Sequence, residues 1–327
     1  MIHGKKKGTL DFTLVKVNSE GIVDPVDIAS AVKPNTVLMS LMHANNEVGS
    51  VQPVAECAKA ARGKNPKILI HCDASQSLGK IAVDVAALDV DYLTIVGHKI
   101  GAPKGVAATF SKNGAPWCKL IHGGGQENGR RAGTENVVLI VALGAACALI
   151  DTEKNKLPRY MEACCDELRR ILSAELGDYT QVGEENNADP ANSLSGLRFN
   201  GPTDRSLRLP NTVSVGIKGT SASVLLENLA HSNGVAASAG AACHSGETGA
   251  SISGVLLAME VPESYAVGTL RLSVGRHTTV EDIENGAARI IEVARKQRAE
   301  IDAMPEGERP WWCVRNIPKM FVNSAAK

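Results

Sequence analysis

The sequence predicts an α/β fold: a mostly parallel sheet flanked by helices, followed by a smaller C-terminal α/β domain. Three observations lead there. Lys67–His71 is a short apolar run that stops on an acid, Asp73, and Asp91–Val96 is a second that stops on Gly97-His98-Lys99. The two runs lie about 25 residues apart with Val83–Leu88 as a crossover between them, a separation that reads as one βαβ unit of a parallel sheet rather than a hairpin. Finally, 327 residues with 44% apolar content can bury a large core, and the length suggests two domains.

The other elements follow in order. Thr13–Val17 reads as a short strand and Val26–Val32 as a polar helix. Thr36–Met42 is a stronger strand, which delivers His43-Ala44-Asn45-Asn46 to the edge where Asp73 lies. Pro53–Arg62 has an amphipathic pattern opened by proline in its first turn. Val106–Phe110 reads as another strand, and Glu135–Ile150 and Arg159–Leu176 as long helices joining the domains. Residues 183–209, rich in Asn, Asp, Pro and Ser and without periodicity, read as loop. Asn211–Ile217, a helix over Ser221–His231, a strand near Val235–Ser238, Thr269–Val274 and a helix over Val280–Ala303 compose the second domain. The expected division is 1–150 for the large domain, 151–304 for linking helices and small domain, and 305–327 for an unassigned tail.

Composition narrows the function. Lysine plus arginine equals aspartate plus glutamate at 35 each, so no basic excess marks a nucleic-acid partner. No apolar run is long enough for a transmembrane helix. Met1–Lys7 is basic but no apolar core follows it, so it reads as neither a signal nor a transit peptide. The eight cysteines lack the paired spacing of a zinc or disulfide framework, and a reducing compartment, the cytosol, fits them.

In open α/β sheets ligands sit beyond the carboxyl ends of the strands, so Asp73 and Lys99 are expected to face one ligand. A carboxylate and a lysine aimed at one crevice suit pyridoxal phosphate. The amine forms a Schiff base with the cofactor aldehyde, while the carboxylate keeps the pyridine nitrogen protonated so that the ring accepts electrons. A buried Asp–Lys ion pair is the open alternative.

His-Cys-Asp-Ala-Ser-Gln at 71–76, Gly-His-Lys at 97–99 and Ala-Pro-Lys-Gly at 102–105 resemble the cofactor segment of the cysteine desulfurase and selenocysteine lyase family. These are class V aminotransferase-like, fold-type I pyridoxal phosphate enzymes. Further resemblance runs in family order through Ala-Asn-Asn-Glu-Val-Gly at 44–49, the glycine-rich 123–136, Gly-Ala-Ala-Cys-His-Ser at 240–245 and Leu-Arg-Leu-Ser-Val-Gly-Arg at 270–276.

The resemblance implies roles. Lys99 carries the cofactor, with Lys104 the weaker rival; its amine must be deprotonated, which partial burial beside a cationic neighbour favours. Asp73 pairs the pyridine nitrogen, Gln76 donates to the phenolic oxygen and His98 binds phosphate. Thr134, closing a glycine loop at a helix start suited to anions, reaches the phosphate in the other subunit of a homodimer; an ordinary N-cap is its structural alternative. Asn46 touches cofactor and substrate, and otherwise reads as a turn residue. Arg271 clamps the substrate carboxylate, a task suited to a planar guanidinium, and Arg276 is a lesser candidate.

Cys57, Cys147, Cys164 and Cys165 read as apolar fillers. Cys243 stands apart among small polar residues, where a thiolate can accept sulfur as a persulfide, or serve selenocysteine as proton donor or selenium acceptor. The expected activity is a lyase that breaks the Cβ–Se bond of L-selenocysteine to leave alanine, with delivery to a selenium or sulfur acceptor protein. Val96, Ala-Ala-Cys-His-Ser and Arg-Leu-Pro-Asn-Thr at 208–212 resemble selenocysteine lyases more closely than housekeeping cysteine desulfurases, a resemblance that implies that substrate over L-cysteine. Departures from the family pattern include Val96 for a serine and Gly101 for a tyrosine. Family members also carry roughly a hundred residues before the point matching Met1, with a phosphate loop and a histidine that stacks on a ring the site must hold flat. A catalytically silent relative acting as a binding partner, and a fold-type I enzyme of another reaction type such as an aminotransferase, are the rival readings.

Overall fold

The computed structural model describes residues 10–177, 179–180, 196–231, 235–239 and 252–313. Two compact units divide the chain. The first comprises 1–18, 22–45 and 51–158, and the second 19–21, 46–50 and 159–327. The sequence places the border at 150/151; the units part at 158/159.

The first unit is built on four strands, β1 (Leu38–Met42), β2 (Leu69–Asp73), β3 (Tyr92–Val96) and β4 (Ala107–Ser111), in the spatial order β1-β2-β3-β4. The first three run parallel and β4 is antiparallel to β3. Helix α1 (Pro25–Ala31) starts where the Asp24 side chain accepts the Val26 N–H, with proline in its first turn. Helix α2 (Val54–Lys64) buries Val54, Cys57, Ala58 and Ala61, one face at helical spacing. These residues pack with Ile28, Met39, Ile70, Cys72 and Leu93 in one core. Each large apolar side chain there contributes about 1.5–3 kcal/mol.

Three expectations for this unit are corrected. β2 starts two residues late, at Leu69, because Asn65 first turns the chain: its Oδ1 accepts the Lys67 N–H and its Nδ2 donates to the Thr36 carbonyl. The Val83–Leu88 crossover forms no helix. Asp84 Oδ1 accepts the Ala86 and Ala87 N–H groups, and Asp89 at φ 51° ends the single turn, while Val83, Val85 and Leu88 still pack on the core. Thr13–Val17 is not a strand; only Val17 bridges, to Val23, across a turn in which Asn18 Oδ1 accepts the Ile22 N–H.

Helix α3 (Val137–Glu153) is apolar around most of its circumference. Helix α4 (Leu157–Leu176) buries Met161, Cys164, Cys165, Leu168, Leu172 and Leu176 along one stripe. In the second unit, β5 (Tyr179–Thr180), β6 (Leu197–Asn200), β7 (Thr212–Ile217) and β8 (Thr269–Ser273) form a sheet in that order, antiparallel from β6 onward. β6 lies in the stretch expected to be loop, of which residues 183–195 fall outside the described residues. The expected strand at 235–238 reduces to one bridge, between Ser238 and Arg271. Helices α5 (Ala222–His231), α6 (Gly254–Ala258), α7 (Glu263–Ala266) and α8 (Val280–Asp302) complete the unit. α8 opens with a capping box between Thr279 and Asp282 and buries Ile283, Ala287, Ile290, Ile291, Ala294 and Ile301. Arg298 fastens three segments, donating to the carbonyls of Lys218 and Leu176 at 2.9 Å and of Gly196 at 3.1 Å. Of the tail beyond 304, short helical turns at Glu306–Glu308 and Trp311–Cys313 are described.

Candidate active site

Parallel pairing fixes what lies at the carboxyl edge of the first sheet. Met42 is in register with Asp73, and Asp73 with Thr94. The His43 N–H donates to the Asp73 carbonyl at 2.8 Å and the Ala74 N–H to the Thr94 carbonyl at 2.9 Å, so the three chains leave together. Ile70 and Cys72 of β2 are fully buried, which turns His71 and Asp73 to the other, open face. Asp73 is exposed, and its Oδ1 accepts the Ser75 N–H at 2.9 Å.

β3 hands its end to a 3-10 turn, Gly97–Ile100. Glycine is required at its start, since a Cβ at Gly97 would stand 2.8 Å from Val106 Cγ1 and 2.9 Å from the Val106 carbonyl oxygen. Gly101, at φ 89°, ends the turn with its N–H on the Gly97 carbonyl. Ile100 and Ala102 are buried with Ala146 of α3, and Leu78, Val106, Leu143, Cys147 and Ile150 pack around them. His98 and Lys99 are exposed on a turn whose backbone is thus held from beneath. The alternative of a buried Asp73–Lys99 ion pair is not what forms: both side chains are exposed and, among the described residues, no ion pair joins them. Lys104 occupies an exposed turn between Ala102 and Val106.

Gln76 lies half-buried in the turns that follow β2. Its carbonyl accepts from Lys80 Nζ at 2.7 Å. Sequence reasoning passed over Lys80 and two histidines. Buried His43 shares a 3.0 Å hydrogen bond between its Nδ1 and Ser77 Oγ. His71 is held across the open face by Ser40 Oγ at Nδ1, 2.8 Å, and Thr94 Oγ1 at Nε2, 3.0 Å. Burial lowers the pKa of both histidines, with the Asp73 charge opposing it at His71. Polar residues at alternate positions of adjacent strands, Ser40 in register with His71 and Thr94 two residues beyond the partner of His71, were the available signal.

Thr134 is exposed at the close of the glycine loop and is not a cap. Asn136 caps α3, its Oδ1 accepting the Leu139 N–H at 3.1 Å. Gln126 Oε1 accepts the Gly133 N–H at 3.2 Å, bracing the loop.

In the second unit Asn46 and Arg271 meet. Arg271 Nη1 donates to the Asn46 carbonyl at 2.9 Å, and the Arg271 N–H donates to the Ser238 carbonyl at 2.6 Å. Arg271 projects from the polar face of the sheet, where Arg198 Nε donates to Asn200 Oδ1 and Asn200 Nδ2 to Ser214 Oγ, all three buried. Ser253 donates to Glu47 beside Asn46. Arg276 is half-buried. Cys243 lies outside the described residues, as does His244. Cys57, Cys164 and Cys165 are buried and Cys147 is half-buried in the small core with Ile100.

The donor set suits pyridoxal phosphate: an exposed carboxylate and an exposed amine, unpaired with each other, at the ends of adjacent parallel strands, with an imidazole and an amide close in sequence. Among the described residues no helix is long and apolar enough to cross a membrane. The class-V aminotransferase family model matches residues 3–285. The chain is 37% identical over 294 residues to a cysteine desulfurase IscS of Clostridium botulinum, covering 90% of this chain and 68% of the relative. It is 38% identical over 296 residues to a selenocysteine lyase of Xenopus laevis, covering 87% and 65%. Among solved structures, a NifS-like protein superimposes with a TM-score of 0.76 at 30% identity, covering 90% of this chain and 71% of that one. A NifS-like protein from Rickettsia africae gives 0.73 at 28%, covering 90% and 72%. With the sheet edge, the motifs and these matches in agreement, the chain belongs to the class-V aminotransferase family of pyridoxal phosphate enzymes, in the branch of the carbon–sulfur and carbon–selenium lyases.

Proposed function

We propose that this chain is a lyase that breaks the Cβ–Se bond of L-selenocysteine, leaving alanine, with selenium released as selenide when a thiol reductant supplies two electrons. The observation that carries the reading is the placement of exposed Asp73 and Lys99 at the carboxyl ends of adjacent parallel strands. Bound pyridoxal phosphate supplies an electron sink for the bond cleavage. Lys99 holds the cofactor and later moves the α-proton of the substrate. Asp73, steadied by the Ser75 N–H, keeps a proton on the pyridine nitrogen. Gln76 donates to the phenolic oxygen, and His98 and Thr134 hold phosphate, Thr134 across a homodimer. Asn46 and Arg271 take the substrate carboxylate. Cys243 acts on the departing atom.

Relatives named cysteine desulfurase favour a second substrate, L-cysteine. There the Cys243 thiol would take the substrate's sulfur, so that cysteine and thiol become alanine and a persulfide on Cys243 for delivery to an acceptor protein. Seven free cysteines among the described residues suit the cytoplasm, where we place the protein.

Absorbance tests the reading first. Purified protein with a band near the visible edge, lost in Lys99→Ala, supports it. Colourless protein that cannot be reconstituted overturns it in favour of a silent binding partner. Alanine release then separates the substrates: faster turnover of L-cysteine reverses the assignment, and full activity of Cys243→Ala on both points to another reaction type.

A further inference from the structure

Glu47 has no assigned role, yet it is 4% exposed and stands next to Asn46 in the chain. A buried carboxylate needs hydrogen-bond donors, and Ser253 supplies one. The Ser253 hydroxyl donates to Glu47 Oε2 and accepts the Val255 N–H at 3.1 Å, so the same oxygen caps α6. α6 is a fixed post: it buries Leu256, Met259 follows it, and a Cβ at Gly21 would stand 3.2 Å from Met259 Sδ and 3.0 Å from Ser50 Oγ. The strip that carries Glu47 is held again at its far end, where the Leu209 N–H donates to the Gly49 carbonyl at 2.8 Å. Asn46 and Glu47 share one peptide plane, which links the Glu47 Cα rigidly to the Asn46 carbonyl that receives Arg271 Nη1 at 2.9 Å. We propose that Glu47 is a positioning residue for the substrate clamp: by holding Ser253 it fixes the tilt of that plane, and so aims the Arg271 guanidinium.

The path of contacts is short and lies wholly in the second unit: Ser253 hydroxyl, Glu47 side chain, one peptide plane, Arg271 fork. A peptide plane resists twisting, but the φ and ψ rotations on either side of it are soft, so a plane without a tether swings its carbonyl away. The Arg271 backbone is fixed by Ser238, which leaves the direction of its long side chain to whatever its head meets. A purely structural role accounts poorly for the carboxylate. Ser253 caps α6 through its own oxygen without help from Glu47, and burying a carboxylate costs free energy that the cap does not require. The inference rests on the substrate role proposed for Asn46 and Arg271.

The test is steady-state alanine formation by the full chain supplied with pyridoxal phosphate, paired with hydrogen exchange of the backbone amides read by mass spectrometry. Glu47→Ala should raise KM about tenfold with kcat within twofold, the worth of one hydrogen bond at a binding contact. Ser253→Ala should do the same from the other partner, and it decides if Glu47→Ala does not fold. Glu47→Gln, which keeps an acceptor for the Ser253 hydroxyl, should stay within threefold of wild type. In an Arg271→Lys background, where the Asn46 anchor is already lost, Glu47→Ala should add less than twofold. Exchange of the amides at 269–273 should quicken in Glu47→Ala, and not at 253–259 alone. Unchanged KM in the folded variants, a full tenfold loss on top of Arg271→Lys, or quickened exchange confined to 253–259 overturns the proposal and leaves Glu47 a brace for α6. A wild-type chain that forms no alanine from either substrate removes the lyase reading instead, and exchange at 269–273 then decides alone whether Glu47 governs the fork.

Discussion

Removing the guanidinium of Arg271 tests the proposed substrate clamp most directly. Its Nη1 is already committed to the Asn46 carbonyl at 2.9 Å, and its backbone is bridged to Ser238 on both sides. The fork is therefore oriented before a carboxylate arrives, which lowers the entropic cost of binding. Each charge-assisted hydrogen bond to the carboxylate is worth about 2 kcal/mol. Lysine keeps the charge but loses the second bond and the Asn46 anchor, so Arg271→Lys should lower kcat/KM about 30-fold. Arg271→Ala loses both bonds, about 4 kcal/mol, and should lower it about 1,000-fold. Because a carboxylate is held alike before and during bond cleavage, most of the loss should fall on KM. Steady-state alanine formation across a substrate series measures both. A value of kcat/KM within threefold of wild type in a folded Arg271→Ala would refute the clamp.

Arg298→Met should destabilise the second unit by about 3 kcal/mol, measured by urea unfolding, because three carbonyls from separate segments lose a charged donor at roughly 1 kcal/mol each. Gly97→Ala forces its new Cβ against the Val106 side chain and carbonyl, so it should cost about 1–3 kcal/mol and weaken the cofactor band, although no proposed cofactor ligand is altered. Acid should weaken the fold through His43 and His71. Their folded pKa values lie below the ordinary histidine value of 6.5, so as pH falls through 6.5 the unfolded chain takes up protons that the folded chain refuses, and stability is lost. Unfolding free energies at pH 7.5 and 5.5 should differ in that direction, and less so in His71→Gln.

The parts of the fold legible in the sequence are those in which burial and chain termination coincide. β2 and β3 announce themselves because an apolar run ends on residues that cannot stay in the core, Asp73 and His98-Lys99, and the parallel order follows from the separation of the runs. α2 and α8 are legible for the same reason, each presenting one apolar face at helical spacing. The crossover was not, since Asp84 diverts the N–H groups of Ala86 and Ala87 into a local turn that competes with a helix. β6 was hidden because both of its faces are buried while half of its residues are polar. Arg198 and Asn200 find their partners on β6 itself and on β7, a pairing no local window contains. Thr134 and Asn136 are both able to cap a helix, and the choice between them fell to where α3 starts.

The same distinction separates the site residues that motifs reveal from those that packing reveals. Asp73, Lys99 and Arg271 are side chains that solvent can reach on backbones that cannot move: Asp73 is locked by its own Asx turn, Lys99 by the core under Ile100, and Arg271 by Ser238. Such residues sit in recognisable strings because the rigid backbone beneath them requires particular neighbours, above all Gly97 and Gly101. Lys80 inverts that arrangement. Its chain position, after Leu78-Gly79 and before Ile81, reads as an ordinary exposed lysine; its amine is drawn inward only because Gly79 admits Ile150 and a carbonyl waits at Gln76.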